Sequence, residues 1–144
     1  MERDAIIETA RKIILENKVF VLATAGQDGA PWMRWMGGSV LDEPLTATMA
    51  ALSSSKKMDQ IRANPRAQLM FQTKDHHSVV TLTGTCEIVE EPEQRQRVWD
   101  AFPGLKSYAS GPEDPGLGVI RFTTERVELI LLDEYGTTPQ VTDV

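Results

Sequence analysis

The chain has 144 residues, 41% of them apolar and 25% charged, a balance that fits one globular domain over residues 1–144 and excludes a disordered chain. With 15 Lys and Arg against 21 Asp and Glu, the net charge of −6 argues against nucleic acid as a partner, because displacing counterions needs a dense basic surface. The longest apolar runs, such as Val19-Phe20-Val21-Leu22-Ala23, are too short to cross a bilayer, and no apolar signal core follows Met1-Glu2-Arg3-Asp4. A cytoplasmic protein without a membrane partner is therefore expected. The lone cysteine, Cys86, rules out an internal disulfide and a multi-thiolate metal site.

From residue 4 to 17, Ile6, Ile7, Ala10, Ile13 and Ile14 draw one apolar stripe at helical spacing. The period then changes. Val19–Thr24 and Ala30–Met36 read as strands joined by the turn Gly26-Gln27-Asp28-Gly29. Short strands are expected near Ser39–Leu41 and Leu45–Ala50. Ser53-Ser54-Ser55 offers hydroxyls to start a helix over 56–63, which Asn64-Pro65 stops. Ala67–Thr73 and Val79–Val89 follow as strands, and Gly84 inside the second predicts a bulge or sharp bend. Pro92 opens a helix to about residue 102, with Val98, Trp99 and Phe102 on its buried side. Residues 103–118 hold four glycines and three prolines and read as a loop. Val119–Thr124 and Val127–Asp133 form a last hairpin or one bent strand, and the polar tail 134–144 is expected to be mobile. Six to eight short antiparallel strands with three helices suit a mainly β, α+β barrel.

Few residues offer chemistry. Lys56 and Lys57 stand in the first turn of a helix, where the dipole disfavours each by about a few tenths of a kcal/mol. A bound phosphate would reverse that sign, drawing backbone N–H groups, Ser55 and both ammonium groups onto one dianion. Two solvated surface lysines are the plain alternative. Arg34 lies among Trp32, Met33, Trp35 and Met36, so its charge needs an anionic partner or an aromatic face to stack on. His76-His77 in a turn reads as polar loop, and no metal site is expected there. No phosphate-binding glycine loop, dinucleotide fingerprint or histidine-based triad is present, so no catalytic side chain is assigned.

In order along the chain, these segments resemble the pyridoxamine-5′-phosphate-oxidase-like family of flavin-binding split barrels, and within it the general-stress-protein branch. The likeness runs from Phe20 through Pro31 to Arg34. It resumes over Ser55-Lys56-Lys57-Met58-Asp59-Gln60-Ile61-Arg62-Ala63-Asn64-Pro65-Arg66-Ala67. It continues through Val79–Glu87 around Gly84 and ends more loosely near 119–133. The resemblance implies a six-stranded antiparallel split β-barrel, a homodimer, and two sites for flavin mononucleotide (FMN) at the interface. It implies that Arg34 meets the phosphate and ribityl side, and that Ser55, Lys56 and Lys57 hold the phosphate. Trp35 and Met36, with Ala50 and Ala51 on the neighbouring strand, would line the isoalloxazine through main-chain groups.

The pyridoxal-phosphate-forming members carry a substrate-holding arginine and histidine near the C-terminus, and residues 136–144 contain neither, so formation of pyridoxal phosphate is not expected. The expectation is a flavin-dependent oxidoreductase served by a small-molecule electron donor or acceptor. A non-enzymatic flavin carrier is the alternative, as is a barrel holding another anionic cofactor such as deazaflavin or haem.

Overall fold

The computed structural model describes residues 1–144. Helix α1 (Arg3–Glu16) buries the stripe of Ile6, Ile7, Ala10, Ile13 and Ile14 against the sheet. The chain continues through β1 (Phe20–Ala25), β2 (Pro31–Met36), β3 (Val40–Asp42), β4 (Thr46–Leu52), α2 (Lys56–Ala63), β5 (Arg66–Gln72) and β6 (Ser78–Ile88). Then come α3 (Pro92–Ala101), a 3-10 turn over Pro103–Ser107, β7 (Leu117–Leu131), α4 (Leu132–Tyr135) and β8 (Gln140–Asp143). All pairings are antiparallel, in the order β2-β1-β5-β6-β7-β4-β3, with β8 added on β7. The β2 and β3 edges do not pair, so the barrel is split, and α2 bridges from β4 to β5.

Alternation fills the interior. Phe20 and Leu22 of β1, Leu69 and Phe71 of β5, Val80 and Leu82 of β6, and Phe122, Val127 and Leu129 of β7 are all buried. Phe20 and Phe71 stack at 4.7 Å between centroids. Cys86 points inward as expected, and burial pushes its thiol up to about 12, which leaves it inert at neutral pH.

Gly84 marks the bend. Thr83 pairs with Arg126 but Gly84 pairs with Thr124, so Glu125 is an extra residue on β7. A Cβ on Gly84 would lie 1.9 Å from the Thr123 carbonyl oxygen, which only glycine avoids. The bend turns the expected final hairpin into one continuous strand, the second of the two readings offered by the sequence.

Eight strands form rather than six. β4 covers β7 only from Leu117 to Thr123, which leaves the far end of β7 with an open edge. The tail fills it: residues 140–143 pair with Arg126–Leu129 as β8. The segment expected to be a mobile polar tail is thus partly a strand. Its side chains stay largely exposed, and backbone pairing is what holds it.

Candidate functional site

β2 is an edge strand whose register decides what each side chain can reach. Met36, Arg34 and Trp32 pair with Phe20, Leu22 and Thr24, so they share the barrel-facing side of the sheet. Met33 and Trp35 share the outer face with Val21 and Ala23. Arg34 therefore turns inward at the rim, beneath the start of α2. Its Nη1 donates to Thr24 Oγ1 at 2.7 Å, Trp32 O at 3.1 Å and Leu22 O at 3.2 Å, and its Nη2 donates to Gln60 Oε1 at 2.9 Å.

The start of α2 supplies the other cations. Ser55 is its N-cap residue, but the Ser55 hydroxyl donates backward to Leu52 O at 2.7 Å rather than to the helix. The first N–H groups of α2 thus keep no side-chain cap. Lys56 Nζ stands 4.0 Å above the centre of the Trp32 ring. Lys57 is half-buried; burial lowers its pKa first, and the nearby Arg34 charge lowers it further. Burial alone lowers that of Arg34. None of Arg34, Lys56 or Lys57 makes an ion pair with a carboxylate. The aromatic stacking partner considered for Arg34 is taken by Lys56 instead.

Ala50 and Ala51, just before this corner on β4, open onto an apolar cleft of about 270 Å³ walled by Leu105, Tyr108 and Leu117. A second hollow of about 440 Å³ shares Ala50, Leu105 and Tyr108 and extends to Gly37, Gly38 and Lys18. The far wall is the glycine- and proline-rich loop, and it is well fastened. Arg95 Nε donates to Pro112 O at 2.7 Å and Nη2 to Asp114 O at 2.9 Å. Asp114 accepts the backbone N–H of Ser110 and of Gly116, each at 2.8 Å, and these bonds hold its carboxyl below the usual range. A loop tied in this way forms a fixed wall.

The structure brings Arg34, Lys56 and Lys57 together at one corner, with Ser55 beside them, and it places Ala50 and Ala51 on the adjoining cleft. It does not bring the side chains of Trp35 and Met36 to that cleft. Met36 is buried beside Phe20, and Trp35, 81% exposed, projects from the opposite face. Alternation along the strand puts Trp35 on the face opposite Arg34, while Met36, on the same face as Arg34, is taken up by the core. Their main chain does lead into Gly37 and Gly38, which line the second hollow. Sequence reasoning missed Thr24, Gln60, Leu105, Tyr108 and Leu117. Of these only Gln60 carried a signal, as a polar residue among the buried positions Met58 and Ile61 of α2.

The fold and this corner define a split-barrel protein with three cations that no carboxylate pairs with, and an apolar cleft further back along β4. The sequence profile of the pyridoxamine 5′-phosphate oxidase family matches residues 6–131, and the chain belongs to that family. Among solved structures it is similar to general stress protein 26 from Bacillus anthracis str. Sterne, at 23% identity over all of both chains with a TM-score of 0.77. It is also similar to a pyridoxamine 5′-phosphate oxidase-related, FMN-binding protein from Nostoc punctiforme PCC 73102. There the identity is 12%, the coverage 98% of this chain and 94% of that one, and the TM-score 0.70. A haem-binding protein from Mycobacterium smegmatis matches at 23% identity over 99% of this chain but 60% of its own, with a TM-score of 0.78. At these identities the likeness establishes the fold. Comparison with curated protein sequences gave no match. No helix is long and apolar enough to cross a membrane.

Proposed function

We propose that the protein binds FMN and serves as a flavin-dependent oxidoreductase of the pyridoxamine 5′-phosphate oxidase family, without forming pyridoxal phosphate. The observation that carries this reading is the Arg34–Lys57 pair. Two partly desolvated cations, one lowering the pKa of the other and neither paired with a carboxylate, are a place where a phosphate dianion would relieve the repulsion. Lys56, held over Trp32, and the uncapped N–H groups of α2 belong to the same corner. The apolar cleft at Ala50 and Ala51 connects to this corner through Leu52, whose carbonyl accepts from Ser55, and its apolar lining suits a planar ring.

When bound, FMN supplies the electron-transfer chemistry itself. This chain's residues contribute an anchor, a dry wall and access: the cleft is open along one side, so a small donor or acceptor can diffuse to the ring. Neither His76 nor His77 lines either hollow, and His77 Nδ1 lies 2.9 Å from Asp133 Oδ2 at the far end of β6. That placement leaves both hollows without a histidine ligand for haem iron.

The reading includes a C2 homodimer. Trp35, Val21 and Met70 form a continuous row across β2, β1 and β5, flanked by Met33, which is 75% exposed. An exposed apolar row of this kind on a sheet face suits a self-complementary contact. Titration of the purified protein with FMN and with riboflavin, followed by quenching of flavin fluorescence, tests the site. Tight binding of FMN and weaker binding of riboflavin is expected, and equal affinity for the two sinks the phosphate anchor. Anaerobic addition of NADH, NADPH or a reduced deazaflavin to the loaded protein then separates the enzyme from a carrier. Bleaching of the flavin supports the oxidoreductase, and a spectrum unchanged by every donor leaves the carrier.

A further inference from the structure

The guanidinium of Arg34 is held only by neutral acceptors, although it is partly withdrawn from water. In protein interiors such a group commonly rests against a carboxylate, which fixes its geometry and cancels its charge. Here the position a carboxylate would take is filled by the side-chain amide of Gln60, 7% exposed, and by the hydroxyl of Thr24, 2% exposed. Gln60 Oε1 accepts from Arg34 Nη2 at 2.9 Å and from Thr24 Oγ1 at 2.6 Å, and Thr24 Oγ1 in turn accepts from Arg34 Nη1 at 2.7 Å. Arginine can only donate, so the oxygen of the Gln60 amide is the atom that must face it. The three side chains close a triangle of hydrogen bonds in which Arg34 donates to both partners and two of the three bonds end on the Gln60 oxygen.

The donor count shows what this ring leaves over. A guanidinium has five N–H groups. Nη1 serves Thr24 and the carbonyls of Leu22 and Trp32, and one hydrogen of Nη2 serves Gln60. Nε–H and the second Nη2–H remain, and on a planar guanidinium these two lie side by side as the fork that meets two oxygens of one phosphate.

We propose that Gln60, backed by Thr24, is the positioning residue of this site: it locks Arg34 in place while leaving its charge uncancelled, and so makes the site select a phosphate-bearing ligand. The proposal rests on the phosphate-site reading above. Glutamate at position 60 would keep the shape and the hydrogen bonds to Arg34 but would cancel the Arg34 charge. The choice of amide over acid is therefore the device, and it acts through Arg34 without touching the ligand.

The test compares the parent with Gln60→Glu and Gln60→Leu, using FMN and riboflavin as paired probes and the side-chain Nε–Hε resonance of Arg34 by nitrogen-15 NMR as a readout independent of any flavin. Gln60→Glu should retain a sharp, slowly exchanging Arg34 signal yet bind FMN at least about tenfold more weakly, as expected for losing a charge-assisted contact, with riboflavin affinity unchanged. Gln60→Leu should lose the sharp signal and also favour FMN less over riboflavin. If Gln60→Glu prefers FMN over riboflavin as strongly as the parent, the role of Gln60 is overturned while the phosphate site stands. An equal loss of both ligands reduces Gln60 to a structural residue and likewise overturns it. A parent that binds FMN no better than riboflavin overturns the phosphate reading and this proposal with it.

Discussion

The charge of Arg34 on β2 lies near enough to Lys57, in the first turn of α2, to lower the lysine's pKa, and no carboxylate pairs with either. Folding has placed two like charges together, and burial raises the cost of each. Such an arrangement is stable only because other parts of the fold hold it, and it becomes favourable when an anion enters. Replacing Lys57 therefore has opposite effects on the free and the loaded protein. Lys57→Ala should leave the free protein as stable as before or slightly more so, and weaken FMN binding by about 1.5–3 kcal/mol. Riboflavin affinity should barely change. Matched thermal melts and flavin titrations check both halves, and an unchanged FMN curve would return Lys57 to a solvated surface role.

The lowered pKa of Lys57 also gives a pH dependence. Its folded pKa lies below the unfolded value, so between the two the unfolded chain holds the extra proton and stability of the free protein rises with pH. Below the folded pKa both states carry the proton, and the penalty of the buried charge is present in full. FMN should reverse the preference, because its phosphate favours the charged lysine. Binding on the alkaline side should therefore draw a proton from solution. Calorimetry of FMN binding in two buffers of different ionisation enthalpy, for the parent and for Lys57→Ala, measures this uptake. Equal proton uptake in both proteins would assign it to another group.

Gly84 has no tolerance for a side chain, since a Cβ there meets the Thr123 carbonyl oxygen at 1.9 Å. Gly84→Ala should destabilise the fold by at least about 2 kcal/mol, the scale of overpacking inside a well-filled core. Gly37→Ala, with nothing within 4 Å of its added Cβ, serves as the control and should unfold at nearly the parent urea concentration. Comparable midpoints for Gly84→Ala and the parent would mean that the bulge relaxes without cost.

Trp35, at the edge-strand end of the outer apolar row, is 81% exposed, which makes it the sharpest probe of assembly. Trp35→Asp should convert a dimer to a monomer in light scattering at micromolar concentration, with the far-ultraviolet circular dichroism unchanged. A parent protein that already has the mass of one chain would remove the dimer from the reading.

Much of this fold was legible because its punctuation is local. Ser55 before α2 and Asn64-Pro65 after it bound the helix at Lys56–Ala63, and Gly84 marks the bulge where β6 pairs with β7. Arg34 was recognisable as a charge in need of a partner because its neighbours are apolar. The partners themselves were not legible. Thr24 and Gln60 belong to β1 and α2 and meet only once α2 packs against β1. The loop after α3 could be recognised as a loop but not as a fixed wall, since Arg95 holds it through carbonyl oxygens, which every sequence has. β8 escaped notice because its polar side chains gave no core signal, and an edge strand needs only backbone partners.

The route of β4 across the molecule bears on when the protein becomes able to hold a ligand. β4 carries Ala50 and Ala51, yet apart from the three-residue β3 its only sheet partner is β7, with Thr46 against Thr123 and Leu52 against Leu117. The wall of the cleft near the start of the chain therefore cannot be set until the last long strand has arrived. Pairings so distant in sequence form late, after shorter loops have closed. On the ribosome, a chain extended only as far as α3 would already possess Arg34, Lys57 and Gln60 but would lack the surface against which a ring could settle. Anchor and cleft are thus separated in time during synthesis, and a flavin has no complete site to enter until nearly the whole chain has emerged.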